Sequence, residues 1–175
     1  MKTWHSMDKT GWKPGPWIDE ADKAQWIDPE TNLDCLIVRS RSGALCGYVG
    51  ISCEHPFYEK HYDKIPEINE PHGGLTYADF CQEEMDPSKG ICHIPENERP
   101  VKVWWFGFDC AHFSDYIPVR YSMFSVDWES PCIYRDFDYV KSEVELLAKS
   151  LRMRKNRRSN GNLENPARCK RDASA

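Results

Sequence analysis

The sequence predicts an α+β domain: a mainly antiparallel sheet packed by one C-terminal helix and joined by long irregular loops. Three features predict it. Short apolar runs at 24–27, 33–39 and 44–49 are separated by turns too short for a parallel crossover. Residues 103–109 read as a strand, so Trp104, Phe106 and Phe108 share one face while Trp105, Gly107 and Asp109 share the other. Near the end, Phe137, Val140, Val144, Leu147 and Leu151 recur at spacings of 3, 4, 3 and 4, the rhythm of one helix face.

At 175 residues the chain suits one domain. Residues 1–20 hold Gly11, Pro14, Gly15 and Pro16 among Trp4, Trp12 and Trp17, and read as an irregular arm laid over the domain by its indoles. The α+β domain is expected at 21–154. Its first three strands form a meander, with strong turn chemistry at 28–32 and 40–43. From Gly50 to Pro71 a loop is expected, with one helical turn after Pro56. The segment 72–77 opens a short strand on a glycine pair, and 80–100 is a second loop turning at 86–90. Beyond the strand at 103–109 lies a third irregular region, with an added strand expected at 120–126. The helix is expected at 136–153, with Asp136, Asp138 and Glu143 early and Lys149 and Arg152 late, as the helix dipole favours. Its stripe is the natural cover for Trp104, Phe106 and Phe108, each large side chain contributing roughly 1.5–3 kcal/mol on burial. Residues 155–175 lack apolar rhythm and read as a disordered basic tail.

Composition narrows the function classes. The chain is 40% hydrophobic with 7 Trp, 8 Tyr and 7 Phe, enough for a core despite 12 prolines. The net charge of −5 is uneven: eight basic and two acidic residues follow from Arg152 onward, leaving 15 basic and 26 acidic before it. So acidic a body argues against a nucleic-acid-binding face, and the basic run 152–158 reads as a solvated helix end. No apolar run reaches the roughly 18 residues of a membrane span. The first residues lack the apolar core of a signal peptide, so a cytoplasmic protein is expected and its eight cysteines are expected as reduced thiols.

Two stretches carry the candidate chemistry. On the open side of the strand at 103–109, Trp105 offers a ring, Gly107 a gap and Asp109 a carboxylate, which suits a guest lying flat on the indole. Cys110, His112 and Asp115 follow at the mouth of that face, and Asp109, His112 and Asp115 recur at spacing three. Such a carboxylate–histidine–carboxylate set serves a polar pocket, a general base or a metal. The second stretch is His72-Gly73-Gly74, where the backbone turns sharply and its amides can meet an anionic group; Tyr77 adds a hydroxyl. Cys81, Cys92, His93, Cys110 and His112 pose a zinc question, but no pair has the usual short cysteine spacing. Cys110 has no visible base to activate it, and His55, Tyr58, His61 and Tyr62 lie in a loop that packs over a sheet edge as readily as it binds. No catalytic set, metal set or cofactor is assigned.

The blocks Gly47–Gly50, His55-Pro56, His72–Tyr77, Gly90–His93, Val103–His112 and Tyr134–Tyr139 together resemble a widespread family of small bacteriophage and bacterial proteins. The resemblance spans about 15–151 and is most specific in His-Gly-Gly-Leu-Thr-Tyr and Trp-Trp-Phe-Gly-Phe-Asp-Cys-Ala-His. This chain departs in carrying extra residues between Asp115 and Tyr134 and a longer tail. The resemblance implies a phage-type source, hence a bacterial host cytoplasm, and no mechanism. Phages sequester nucleotide-derived immune signals, so the leading expectation is a binder of a small, polar, nucleotide-like ligand. Its site would be His72, Gly73, Gly74, Tyr77, Trp105, Asp109, His112 and Asp115. One alternative is a hydrolase of a nucleotide or related ester, using His72, Asp109 and His112 around a metal or water. Another is a protein-binding phage effector using the Trp-rich arm and the basic tail.

Overall fold

A computed structural model describes residues 1–65, 68, 71–81, 86, 88–96, 102–123 and 131–159, the side chains of the final helix being described as far as Met153. Among these residues the strands are β1 (Lys2–Trp4), β2 (Lys23–Ile27), β3 (Asp34–Arg39), β4 (Leu45–Ile51), β5 (Tyr77–Phe80) and β6 (Trp104–Asp109). They form one antiparallel sheet in the order β1-β2-β3-β4-β6-β5. Helix α1 spans Pro118–Met123 and helix α2 spans Phe137–Ser159. The α+β fold expected from the sequence is the one observed.

Topology explains the long loop after β4. The chain leaves the sheet centre, reaches the outer edge as β5, and returns as β6 between β5 and β4. A hairpin turn cannot make that journey. The only regular piece described within it is a 3₁₀ turn at Tyr62–Lys64, capped by His61; at Pro56, where a helical turn was expected, the chain makes a simple turn closed by Tyr58 N to His55 O at 3.0 Å.

Register sorts the side chains as strand alternation requires. Ala24, Ile37, Val49 and Phe106 line one face, joined by Cys35, Leu45, Ile51, Trp104 and Phe108. Val140, Val144, Leu147, Ala148 and Leu151 of α2 close that face into the main core. Asp136 starts the helix by accepting the Tyr139 amide at 2.8 Å, the usual service of an N-cap aspartate. Gly47 marks the closest approach: a Cβ there would sit 2.5 Å from Phe108 and Val144.

The reverse face is also covered. Leu36, Cys46, Tyr48, Val103 and Trp105 form a second, smaller cluster, with Ile91 packed against it. Segment 88–94 lies over it because β2 tethers it. Lys23 Nζ donates to the carbonyls of Lys89 (3.1 Å) and Cys92 (2.6 Å), and Gln25 bonds the Ile94 amide (2.8 Å) and carbonyl (2.7 Å). Burial pushes the Lys23 ammonium down to about 8, with nearby Asp86 opposing the shift.

Four expectations need correction. Residues 2–4 of the arm form an edge strand, because their backbone completes the hydrogen bonding of β2. Residues 118–123 are helical where part of an added strand was expected, since Pro118 stands at the first helical position; residues 124–126 lie outside the described residues. Helix α2 continues to Ser159, so the first five residues of the expected tail are helical, and 160–175 lie outside the described residues. Finally, Cys81 and Cys92 form a disulfide with Cα atoms 4.8 Å apart, a separation well suited to a bridge. Cys35, Cys46 and Cys110 are free, buried thiols. No helix of the described residues is long and apolar enough to cross a membrane.

Candidate functional site

The polar site is assembled around Asp115. Ile133 N donates to Ser114 O and Tyr116 N donates to Ile133 O, each at 2.9 Å, so strand-like pairing at 114–116 fixes the chain leading into α2. Arg135, two residues on, then donates from Nε to Asp115 Oδ1 at 3.0 Å. Residues 112–115 close a turn, Asp115 N to His112 O at 3.0 Å. Asp115 Oδ2 in return accepts the His112 amide at 3.0 Å, the local bond that makes aspartate a turn residue.

His72 enters from the opposite side. A turn from Pro71 to Gly74, closed by Gly74 N to Pro71 O at 2.8 Å, has φ of +67° at Gly73 and +85° at Gly74. These left-handed angles, and the close approach below, demand glycine. The turn presents His72 so that Nε2 lies 2.8 Å from Asp115 Oδ2 and Nδ1 lies 3.0 Å from the Tyr139 hydroxyl. Its amide donates to Glu143 Oε2 at 2.8 Å. Tyr139 and Glu143 are four residues apart on α2, neighbours on one flank of the apolar stripe.

His112 completes the cluster. Its ring centre lies 5.2 Å from that of His72, and a Cβ on Gly73 would fall 1.9 Å from its Nε2. One ligand-type atom from each of His72, His112 and Asp115 lies within 4.8 Å of the others. Nε2 of His112 is buried and has no hydrogen-bond partner among the described residues. The Asp115 side chain has no exposed surface. Burial alone would raise its carboxyl, but bonds from His72, Arg135 and the His112 amide, with the His72 charge, hold it below the ordinary carboxylate range. Burial and the Glu143 charge raise the Tyr139 hydroxyl, so it stays neutral. The arrangement is an anchored carboxylate, two imidazoles, a guanidinium and a phenol, gathered from three stretches of the chain.

The structure therefore unites His72, Gly73, His112 and Asp115, and separates the other sequence candidates from them. Trp105 is 0% exposed, with the His93 ring edge-on at 5.4 Å, so its indole has no open face for a guest. The expectation of a free reverse side overlooked the tether from Lys23 and Gln25. Asp109 accepts from Thr76 Oγ1 (2.8 Å) and Ala111 N (3.0 Å), ending β6 and steadying the start of β5. Tyr77 donates to Phe80 O at 3.1 Å and packs against Tyr48. The Gly74 amide is engaged within its own turn.

The five-residue zinc candidate does not assemble. Cys81 and Cys92 are bonded to each other, His93 packs on Trp105, and Cys110 lies in the main core. Burial, with the charge of Asp115, pushes the Cys110 thiol far up, which removes it as a thiolate nucleophile. In the loop after β4, His55 is buried, bonding Leu151 O at 3.1 Å and the Phe57 amide, and joins the domain's packing.

Sequence reasoning missed Arg135, Tyr139 and Glu143. Arg135 and Tyr139 stand within the Tyr134–Tyr139 block, and Glu143 one turn after Tyr139 was the available signal. A polar file beside an apolar stripe at the start of a buried helix marks what that helix shows to its neighbour. A scan of protein-family models and searches of curated proteins and of solved structures return no match to this chain.

Proposed function

We propose that the protein binds a small polar ligand with a nucleotide-like character at the His72–His112–Asp115 cluster, in keeping with a phage protein that sequesters a bacterial immune signal. The observation that carries the reading is the concentration of polar side chains drawn from distant parts of the chain onto one half-buried spot beside an exposed ring. Phe113, next to His112, is 101% exposed. An aromatic ring left in water beside half-buried imidazole and guanidinium groups suits a molecule with a flat base at one end and hydroxyl or phosphate groups at the other. Phe113 takes the stacking role that Trp105 cannot. His72, His112, Arg135 and Tyr139 supply the polar contacts. Gly73 lets the backbone pass close.

The test is to incubate the protein with a panel of cyclic and ADP-ribose-derived signal nucleotides, separate bound from free, then release by heat denaturation. Recovery of one member intact, lost in Phe113→Ala, is the expected result. Capture of none removes the reading.

One observation favours a second reading, hydrolysis of a nucleotide or related ester. His72 is oriented by a carboxylate at 2.8 Å, a pairing that also serves general bases. Both His72 nitrogens are engaged, so the proton acceptor in that reading is His112. The same panel separates the two, since a hydrolase returns its ligand cleaved and His112→Ala stops the cleavage.

A further inference from the structure

We propose that His72, His112 and Asp115 form a binding site for one divalent first-row transition-metal ion, held by a ring nitrogen from each histidine and one carboxylate oxygen. Two observations carry this, and neither depends on what organic ligand the protein binds. The first is the donor set. Two imidazoles and a carboxylate are the ligands of open zinc sites and of other facial two-histidine, one-carboxylate centres. Bonds of about 2.0–2.2 Å place neighbouring ligand atoms roughly 3.3 Å apart in a tetrahedron. The three donors here already lie within 4.8 Å of one another, and His72 Nε2 and Asp115 Oδ2 stand at 2.8 Å. Small side-chain rotations on a fixed backbone bring them to that spacing.

The second observation is the unpaired nitrogen. A buried imidazole nitrogen without a partner costs about 1–3 kcal/mol. Here that nitrogen belongs to His112, and the Gly73 backbone is shaped to receive its ring. Every other member of the cluster has its bonds made. The outer contacts are those a metal site needs. Tyr139 Oη holds His72 Nδ1, which fixes the ring and leaves Nε2 to coordinate, and Arg135 Nε holds Asp115 Oδ1, which turns the other oxygen inward. Asp115 and Glu143 face the spot with negative charge and Arg135 with positive, so a dication there leaves a net positive centre that favours an anionic group in its open position. Imidazole with carboxylate selects a first-row dication such as Zn²⁺ over Mg²⁺ or Ca²⁺, which take all-oxygen sets.

The test uses the full chain with its disulfide intact, and the metal alone as probe. Co²⁺ titration is expected to give one ion per chain, visible d–d absorption without a thiolate charge-transfer band, displacement by Zn²⁺, and a raised Tm. His112→Ala is expected to weaken binding more than about 100-fold, beyond the 10–100-fold typical of changes to outer contacts, while the metal-free Tm stays put. His72→Gln gives a second removal that leaves Asp115 and its Arg135 partner in place. Absence of Co²⁺ binding overturns the proposal. So does a thiolate band, which would place the ion on cysteines, or binding that survives both variants. Nucleotide capture by the metal-free protein would leave the ligand reading standing even if metal binding failed, and metal binding with no nucleotide captured would do the reverse.

Discussion

Two polar networks, one buried and one half-buried, lie on either side of one extended stretch, and they differ in completeness. Tyr134 belongs to the first. Arg39, whose side chain has no exposed surface, bonds Asp22 (3.0 Å), Glu20 (2.9 Å), Tyr134 (2.9 Å) and the carbonyls of Gly43 (3.0 Å) and Ala21 (3.3 Å). Asp22 also accepts from Lys9 and from the amides of Ser6 and Met7, and Glu20 accepts the first amide of α2 and the Tyr134 hydroxyl. It fastens arm, sheet and helix together. Arg135, the next residue, belongs to the second network, the His72–His112–Asp115 cluster, where one imidazole nitrogen is left unpaired. A saturated network serves the fold, and an unsaturated one points beyond it.

Breaking the saturated network has the largest expected effect. Arg39→Met strands Asp22 as a buried, partly uncompensated charge and should lower stability by about 3–5 kcal/mol in urea unfolding. If it lowers stability by less than about 1 kcal/mol, the network does not fasten the fold. Gly73→Ala comes next. It forces alanine into φ of +67° and drives its Cβ into the His112 ring, so a loss of about 1–3 kcal/mol is expected together with loss of Co²⁺ binding.

Acid sharpens the contrast by a smaller step. Burial would raise the Asp22 carboxyl, but the Lys9 hydrogen bond, the Met7 amide and the charges of Lys9 and Arg39 lower it overall. A depressed carboxylate stabilises the fold above its unfolded value of about 3.9, and that stability is lost as pH falls through the folded value below it. Stability of the native chain should therefore fall on acidification below about pH 4, and Asp22→Asn should flatten that part of the profile. The smallest effect on folding is expected from His112→Ala, within about 0.5 kcal/mol, because removing the unpaired Nε2 offsets the loss of the ring's contact with His72. A large loss of metal-free stability there would mean that His112 serves the fold after all, and the contrast between the networks would close.

The two sheet faces show how far sequence patterns reach. Alternation placed Trp104, Phe106 and Phe108 together, and the 3-4-3-4 stripe of 137–151 supplied their cover, because both signals are local and their periods are set by backbone geometry. The same logic put Trp105 on the reverse side correctly and then left that side open. Its cover comes from 88–94, a segment with no periodicity, held by two polar residues of a distant strand and closed by a disulfide. Nothing local in Lys23 or Gln25 announces that their partners are carbonyls some seventy positions away.

The candidate site divides in the same manner. His72, the glycine pair, His112 and Asp115 were legible as chemistry, since left-handed turns select glycine and turn aspartates reveal themselves by spacing. Arg135, Tyr139 and Glu143 were not, because each looks like an ordinary residue around the acidic first turns of a helix. Strand order and the long excursion from β4 to β5 decided which of these groups meet. By itself the sequence determined the faces of the elements, the class of the fold and the types of donor on offer. Which donors converge on Asp115, and that Trp105 is closed to them, only tertiary packing decided, for contacts across forty or seventy residues depend on topology and leave no repeat in the chain.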